Sequence, residues 1–123
     1  RHAAGAEPPE FVLCEDGPLA YRSELPLVSW VAMLRKDGIP AQVSYHAGTS
    51  LCNAALYWTH AYSEKLGLKT RATLLHLPVD CRQVIDRDDN LPSLSAHLSA
   101  RAVRLILDTL LQATADSQSR LQL

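Results

Sequence analysis

The chain has 123 residues, 47% of them apolar and 20% charged, with a formal charge of -1. That is the size of one domain, or of part of a larger one, and the composition of an ordinary globular chain rather than a disordered or fibrous one. With no basic excess and no run of lysines and arginines, nucleic acid and anionic membrane surfaces are excluded as partners.

Residues 1–14 read as a loose lead-in, of which the first ten, with Gly5, Pro8 and Pro9, hold almost no large apolar side chain. The stretch lacks the apolar core of a secretory signal, and no apolar run approaches the roughly 18 residues of a membrane span, so a cytoplasmic location is expected. The chain opens on Arg1 rather than a methionine, which raises the expectation of an upstream segment. Three cysteines, Cys14, Cys52 and Cys81, form neither an even set nor a C-x-x-C pair, which favours reduced thiols over a disulfide framework or a zinc ribbon.

"EDGPLAY" at 15–21 is a turn signal built on Gly17 and Pro18. A helix is expected next, capped by Ser23, with Pro26 in its first turn, Leu27, Val31 and Leu34 at helical spacing, and Gly38 as its stop. Pro40 then disfavours helix, and Ala41, Val43 and Tyr45 alternate as a short strand that ends at Gly48. The segment Thr49 to Leu66, with Thr49 as its natural cap, is apolar on nearly every side, the mark of a buried helix. After Gly67, "TRATLLHLP" suits a strand covered on both faces. Ser93 or Ser95 caps a last helix, with Leu98, Ala102 and Leu105 on one row and Val103, Ile106 and Leu110 on another, and residues 116–123 form a fraying tail. This alternation predicts an α/β fold with a right-handed βαβ unit over 41–77, whose remaining strands must lie elsewhere, because two parallel strands do not make a stable sheet.

In an open parallel sheet the groups that meet a ligand lie at the carboxyl ends of the strands. Cys52 and His76 are both expected there, Cys52 in the first turn of the middle helix and His76 at the tip of the second strand. Unpaired amides and a partial positive charge at a helix mouth favour thiolate over thiol. An imidazole within reach of the sulfur can act as base and then as acid, and the first-turn amides can hold an oxyanion. The plainer alternatives stay open: a free cysteine on an apolar helix is commonly buried filler, and a histidine in "LLHLP" a satisfied core residue. His46, Cys52, His60, His76 and Cys81 match no zinc spacing, so no metal is expected. His60 reads as structural, Cys14 and Cys81 as plain thiols, and "DRDDN" at 86–90 as a solvated turn rather than a calcium loop.

The segments "EDGPLAYRSELP", "GIPAQVS", "AGTSLCN", "LLHLP" and "PSLSAHLSARAVRLIL" resemble, in order and spacing, the pyroglutamyl peptidases (pyrrolidone-carboxylate peptidases), over residues 15 to about 110. The resemblance implies a cysteine exopeptidase that removes N-terminal pyroglutamate from peptides without a cofactor. It gives Cys52 the role of nucleophile and His76 that of general base and acid. The fold it implies is a three-layer α/β sandwich with a mixed, mostly parallel sheet of the phosphorylase/hydrolase-like kind, of which residues 15–115 are the C-terminal part. The family's catalytic glutamate and its aromatic walls come from a longer N-terminal region, and Glu7, Glu10 and Glu15 lie too close to the "DGPLAY" turn to be that glutamate. Where the family commonly has an aromatic residue against the substrate ring, this chain has Ser50. An N-terminal segment or partner chain, or a homo-oligomer, is therefore the expected partner. The alternative expectation is a truncated, inactive relative that serves as an interaction module.

Overall fold

The computed structural model describes Cys14 and residues 16–120, with side chains as far as Ala113. The lead-in expected over 1–14 lies, Cys14 apart, outside those residues. Three α-helices follow one another, α1 (Leu27–Lys36), α2 (Leu51–Lys65) and α3 (Ala96–Arg120), with a short 3-10 helix at Cys81–Val84. The chain divides into two compact units, one made of the residues up to Pro26 with Val43–Leu75, the other of Leu27–Gln42 with the residues from His76 onward.

In the second unit α1 packs against α3. Trp30 and Leu34 from α1 and Ala102 and Ile106 from α3 are buried, and Ile39, just past α1, is only 2% exposed. The stop at Gly38 is as expected. Its φ of +77 suits glycine, and it lets Gly38 N donate to Arg35 O at 3.1 Å and Ile39 N to Leu34 O at 2.9 Å, the paired bonds that close a helix end. Arg101 on α3 grips Asp37 through Nε at 2.5 Å and Nη2 at 2.7 Å. At its far end α3 continues to Arg120, into the stretch expected as a tail. "ADSQSR" holds no glycine or proline to stop it.

In the first unit α2 carries a ring cluster. Tyr21 lies edge-on to Tyr57 at 5.1 Å and stacks on His60 at 5.2 Å. The Tyr57 hydroxyl donates to Pro18 O at 2.9 Å, which ties the "DGPLAY" turn to the helix. Beyond α2, Ser63 Oγ donates to Leu68 O at 3.2 Å and Ser23 Oγ to Ala72 O at 2.8 Å, so two serines hold the extended segment that follows.

Three expectations need correction. α1 begins after Pro26, and Ser23 does not cap it. The residue before a proline is pushed out of the helical region, so Leu25 stays outside the helix, which starts beyond the proline. Residues 41–45 and 70–77 are extended but form no ladder among the described residues, whose only β pairing is an isolated parallel bridge between Val79 and Ser93. A ladder needs a second backbone about 4.8 Å away, and these segments spend the carbonyls of Ala41, Thr70 and Ala72 on side-chain donors instead. Finally, α2 is not enclosed: Ser63 is its one buried residue, while Leu51 is 71% exposed. Nor is "LLHLP" covered on both faces, since Leu75 and Leu77 are 45% and 54% exposed.

Candidate active site

The turn into α2 is shaped by local bonds. Ser44 Oγ donates to His46 O at 2.6 Å, and Gly48 N donates to His46 Nδ1 at 3.1 Å, so the His46 ring closes the turn. Gly48 has φ +89, open to glycine with little cost. The helix cap is Ser50 rather than Thr49, with an extended backbone at φ -129. Its carbonyl accepts from Asn53 N at 3.0 Å and Ala54 N at 3.3 Å. The Ser50 hydroxyl makes no capping bond, and the first turn of α2 holds no acidic side chain. Cys52 is the second residue of that turn, a half-buried free thiol. It therefore sits where helix amides lack internal partners and their partial positive charge is not offset by a carboxylate.

His76 lies in the extended segment after α2 and is exposed between Leu75 and Leu77. Cys52 belongs to the first unit and His76 to the second. Just beyond His76 the chain is fastened to the start of α3. Leu94 N donates to Val79 O at 2.9 Å, and the Asp80 carboxylate accepts from Arg82 N at 3.0 Å, Arg82 Nε at 2.9 Å and Ala96 N at 2.7 Å. Asp80 N donates in turn to Gln83 Oε1 at 2.8 Å, closing a capping box. The Arg82 guanidinium, followed by the two backbone amides, pulls the Asp80 carboxyl down to about 2.

The remaining candidates each have their own setting. His60 packs as a ring on Tyr21, with its Nε2 buried and unpaired among the described residues. Tyr21 donates to Glu64 at 2.8 Å, and that bond raises its hydroxyl to about 12. Cys14 is half-buried and Cys81 exposed, both free. Within "DRDDN", Arg87 pairs with Asp89 through two bonds of 2.7 and 2.8 Å, which makes the stretch a turn closed on itself. Among the described residues no group of three histidine, cysteine or acidic side chains is arranged to hold a metal, and no helix is long and apolar enough to cross a membrane. The spacing of Asp80 and Gln83 is a local capping-box signal, but the tie from Asp80 to Ala96 has none, because Ala96 belongs to a separate element.

Comparison with known proteins gives these residues a context. The profile of the pyroglutamyl peptidase family matches residues 3–113. The chain is 35% identical to the pyrrolidone-carboxylate peptidase of Thermococcus litoralis over 82% of its length and 48% of the relative's. It is also 35% identical to that of Bacillus subtilis, over 94% of this chain and 53% of the relative. Among solved structures, the pyrrolidone carboxyl peptidase of Thermococcus litoralis superposes with a TM-score of 0.81 at 32% identity, covering 94% of this chain and 54% of that one. The enzyme of Fervidobacterium islandicum AW-1 superposes with a TM-score of 0.78 at 33% identity, covering 89% and 54%. The chain thus spans about half the length of the relatives it matches. A match over nearly the whole described chain, in sequence and in fold alike, means that this chain belongs to the pyroglutamyl peptidase family.

Proposed function

We propose that this chain carries the nucleophile and the proton-transfer residue of a cysteine exopeptidase that removes pyroglutamate from peptide N-termini. Cys52 Sγ attacks the pyroglutamyl carbonyl and gives its proton to His76, and the amides of the first turn of α2 hold the oxyanion. As the amide C–N bond breaks, His76 returns that proton to the leaving amine, and the pyroglutamyl group remains as a thioester on Cys52. Water then attacks the thioester with His76 as base, and pyroglutamate leaves as the thiol re-forms. The observation that carries this reading is the place of Cys52, second in a helix whose first turn is free of acidic side chains, within a segment that the family profile covers.

The fuller reading assigns residues 15–115 to the C-terminal part of a three-layer α/β sandwich. Ser50, exposed and without a capping bond, faces the substrate ring in that reading. The rest of the sheet and a carboxylate to orient His76 come from an N-terminal segment, a partner chain or a second copy. Support comes from the relatives' double length and from the exposed Leu51, Leu75 and Leu77. Three free thiols suit the reducing cytoplasm. The same exposed leucines also favour the second reading, a docking module without turnover.

Iodoacetamide labelling followed by mass spectrometry tests the nucleophile. Cys81 is the exposed thiol and Cys52 only half-buried, so access alone labels Cys81 first. An activated Cys52 reverses that order, and Cys52→Ser abolishes amine release from a pyroglutamyl coumarylamide in the complemented protein. Labelling that follows exposure, with turnover surviving Cys52→Ser, discards the proposal.

A further inference from the structure

The segment that presents His76 is poorly held by packing. Leu77 is 54% exposed, and a cavity of about 360 Å³ opens between Leu77, Pro78 and the α3 residues Ala96, Ala100 and Val103. No ladder flanks the segment among the described residues, and Val79 meets Ser93 in a single bridge. What fixes it is polar. Asp80 binds forward to Arg82 and across to Ala96 N, while Val79 O accepts from Leu94 N. The carboxylate thus joins the chain just beyond His76 to the first turn of α3, a helix that packs on α1.

We propose that Asp80 is a positioning residue for His76: by accepting from Ala96 N and Arg82 together, it fixes the backbone four residues beyond the imidazole and so sets where His76 stands for proton transfer. The proposal rests on the catalytic reading of His76, and it adds a residue outside the nucleophile and base. Asp80 touches neither substrate nor the reacting atoms. Its effect is geometric, through a short stretch of chain that is otherwise held only by the Val79–Ser93 bridge and the bond from Leu94 N to Val79 O. General-acid and general-base steps depend steeply on such placement, since a misplacement of about 1 Å can cost on the order of a hundredfold in rate.

The test uses the 123-residue chain with Asp80→Ala and Asp80→Asn, the latter keeping an oxygen that can accept from Ala96 N. Backbone 15N relaxation reads the order at His76, and pyroglutamyl coumarylamide turnover in the complemented protein reads kcat and KM. In Asp80→Ala the order parameter at His76 falls from about 0.85 towards 0.6 or below. Its kcat drops roughly 10- to 100-fold with KM unchanged, and Asp80→Asn recovers part of both. An unchanged order parameter at His76, or a lowered one with kcat intact, overturns the proposal. If Asp80→Ala does not fold, the same comparison on Asp80→Asn decides. A chain in which His76→Ala keeps full turnover refutes the catalytic reading of His76 instead, while the relaxation data still say whether Asp80 holds that segment.

Discussion

At the scale of single residues, the mouth of α2 is defined by what its side chains leave undone. Ser50 caps with its backbone and not its hydroxyl, so a substitution there leaves the helix start intact and, on the proposed function, changes what a substrate meets. Ser50→Tyr places an aromatic face at that point, and ring contacts are worth about 0.5–1.5 kcal/mol beyond area burial. KM for a pyroglutamyl substrate should fall by roughly two- to tenfold with kcat little changed, and steady-state kinetics on the complemented protein check it. Gly48 isolates a different effect. A Cβ there meets nothing within 4 Å, while its φ of +89 is one that other residues rarely adopt. Gly48→Ala therefore costs backbone strain alone, about 1–2 kcal/mol, read as a lower denaturation midpoint without a clash-induced rearrangement. Asp80 supplies a dependence on pH. Its carboxyl is pulled to about 2 when folded, against about 3.9 in an unfolded chain. The stabilisation is therefore complete above about pH 4 and is lost as pH falls towards 2. Urea unfolding at pH 6 should separate wild type from Asp80→Asn, and the two should converge by pH 2.

Among the elements, α1 and α3 pack on each other, and the most enclosed side chain described lies in the same unit but outside both helices. It is Ile39, which follows the Gly38 stop. Ile39→Ala should cost about 2–5 kcal/mol, whereas Leu75→Ala, at an exposed position, should stay within about 0.5 kcal/mol. Thermal unfolding of the two variants side by side measures the contrast. The helices were legible in the sequence because their signals are local: Leu27, Val31 and Leu34 at helical spacing, Gly38 as a stop, and the apolar run from Thr49 that marks α2, whose cap falls one residue later than expected. The cap of α1 was misread because Pro26 acts on the residue before it and overrides the hydroxyl of Ser23. The strands show the opposite limit. Alternation in "AQVSY" and the apolar run in "LLHLP" mark segments able to join a sheet, but a ladder is made by a neighbour, and no pattern within a segment supplies one. Cys52 at the helix mouth was readable for the same local reason as the helix itself. The tie from Asp80 to Ala96 was not, because it joins separate elements through a backbone amide that any residue carries.

For the whole molecule, the question is why so apolar a chain leaves so much apolar surface uncovered. α2 is rich in leucine, alanine and aromatic residues, yet Leu51 and Tyr62 are exposed on it, and Leu75 and Leu77 are exposed beyond it. Exposed leucines scattered singly mean little. Here two of them flank the histidine proposed for catalysis, and another adjoins the cysteine. Family members of about twice this length hold additional chain, and a segment equivalent to it is the occupant proposed for these positions. Charge substitutions separate docking from folding, because an exposed side chain contributes little to the stability of the chain that bears it. Leu75→Asp and Leu77→Asp together should leave the chain's own unfolding midpoint almost unchanged. They should weaken its association with an N-terminal half taken from the Bacillus subtilis relative by at least about tenfold, since burying two unpaired carboxylates costs several kcal/mol. Sedimentation velocity on the mixture gives the association and circular dichroism the midpoint. Undiminished association would place the contact elsewhere on the chain, and a collapsed midpoint would mean that these leucines already serve this chain's own core.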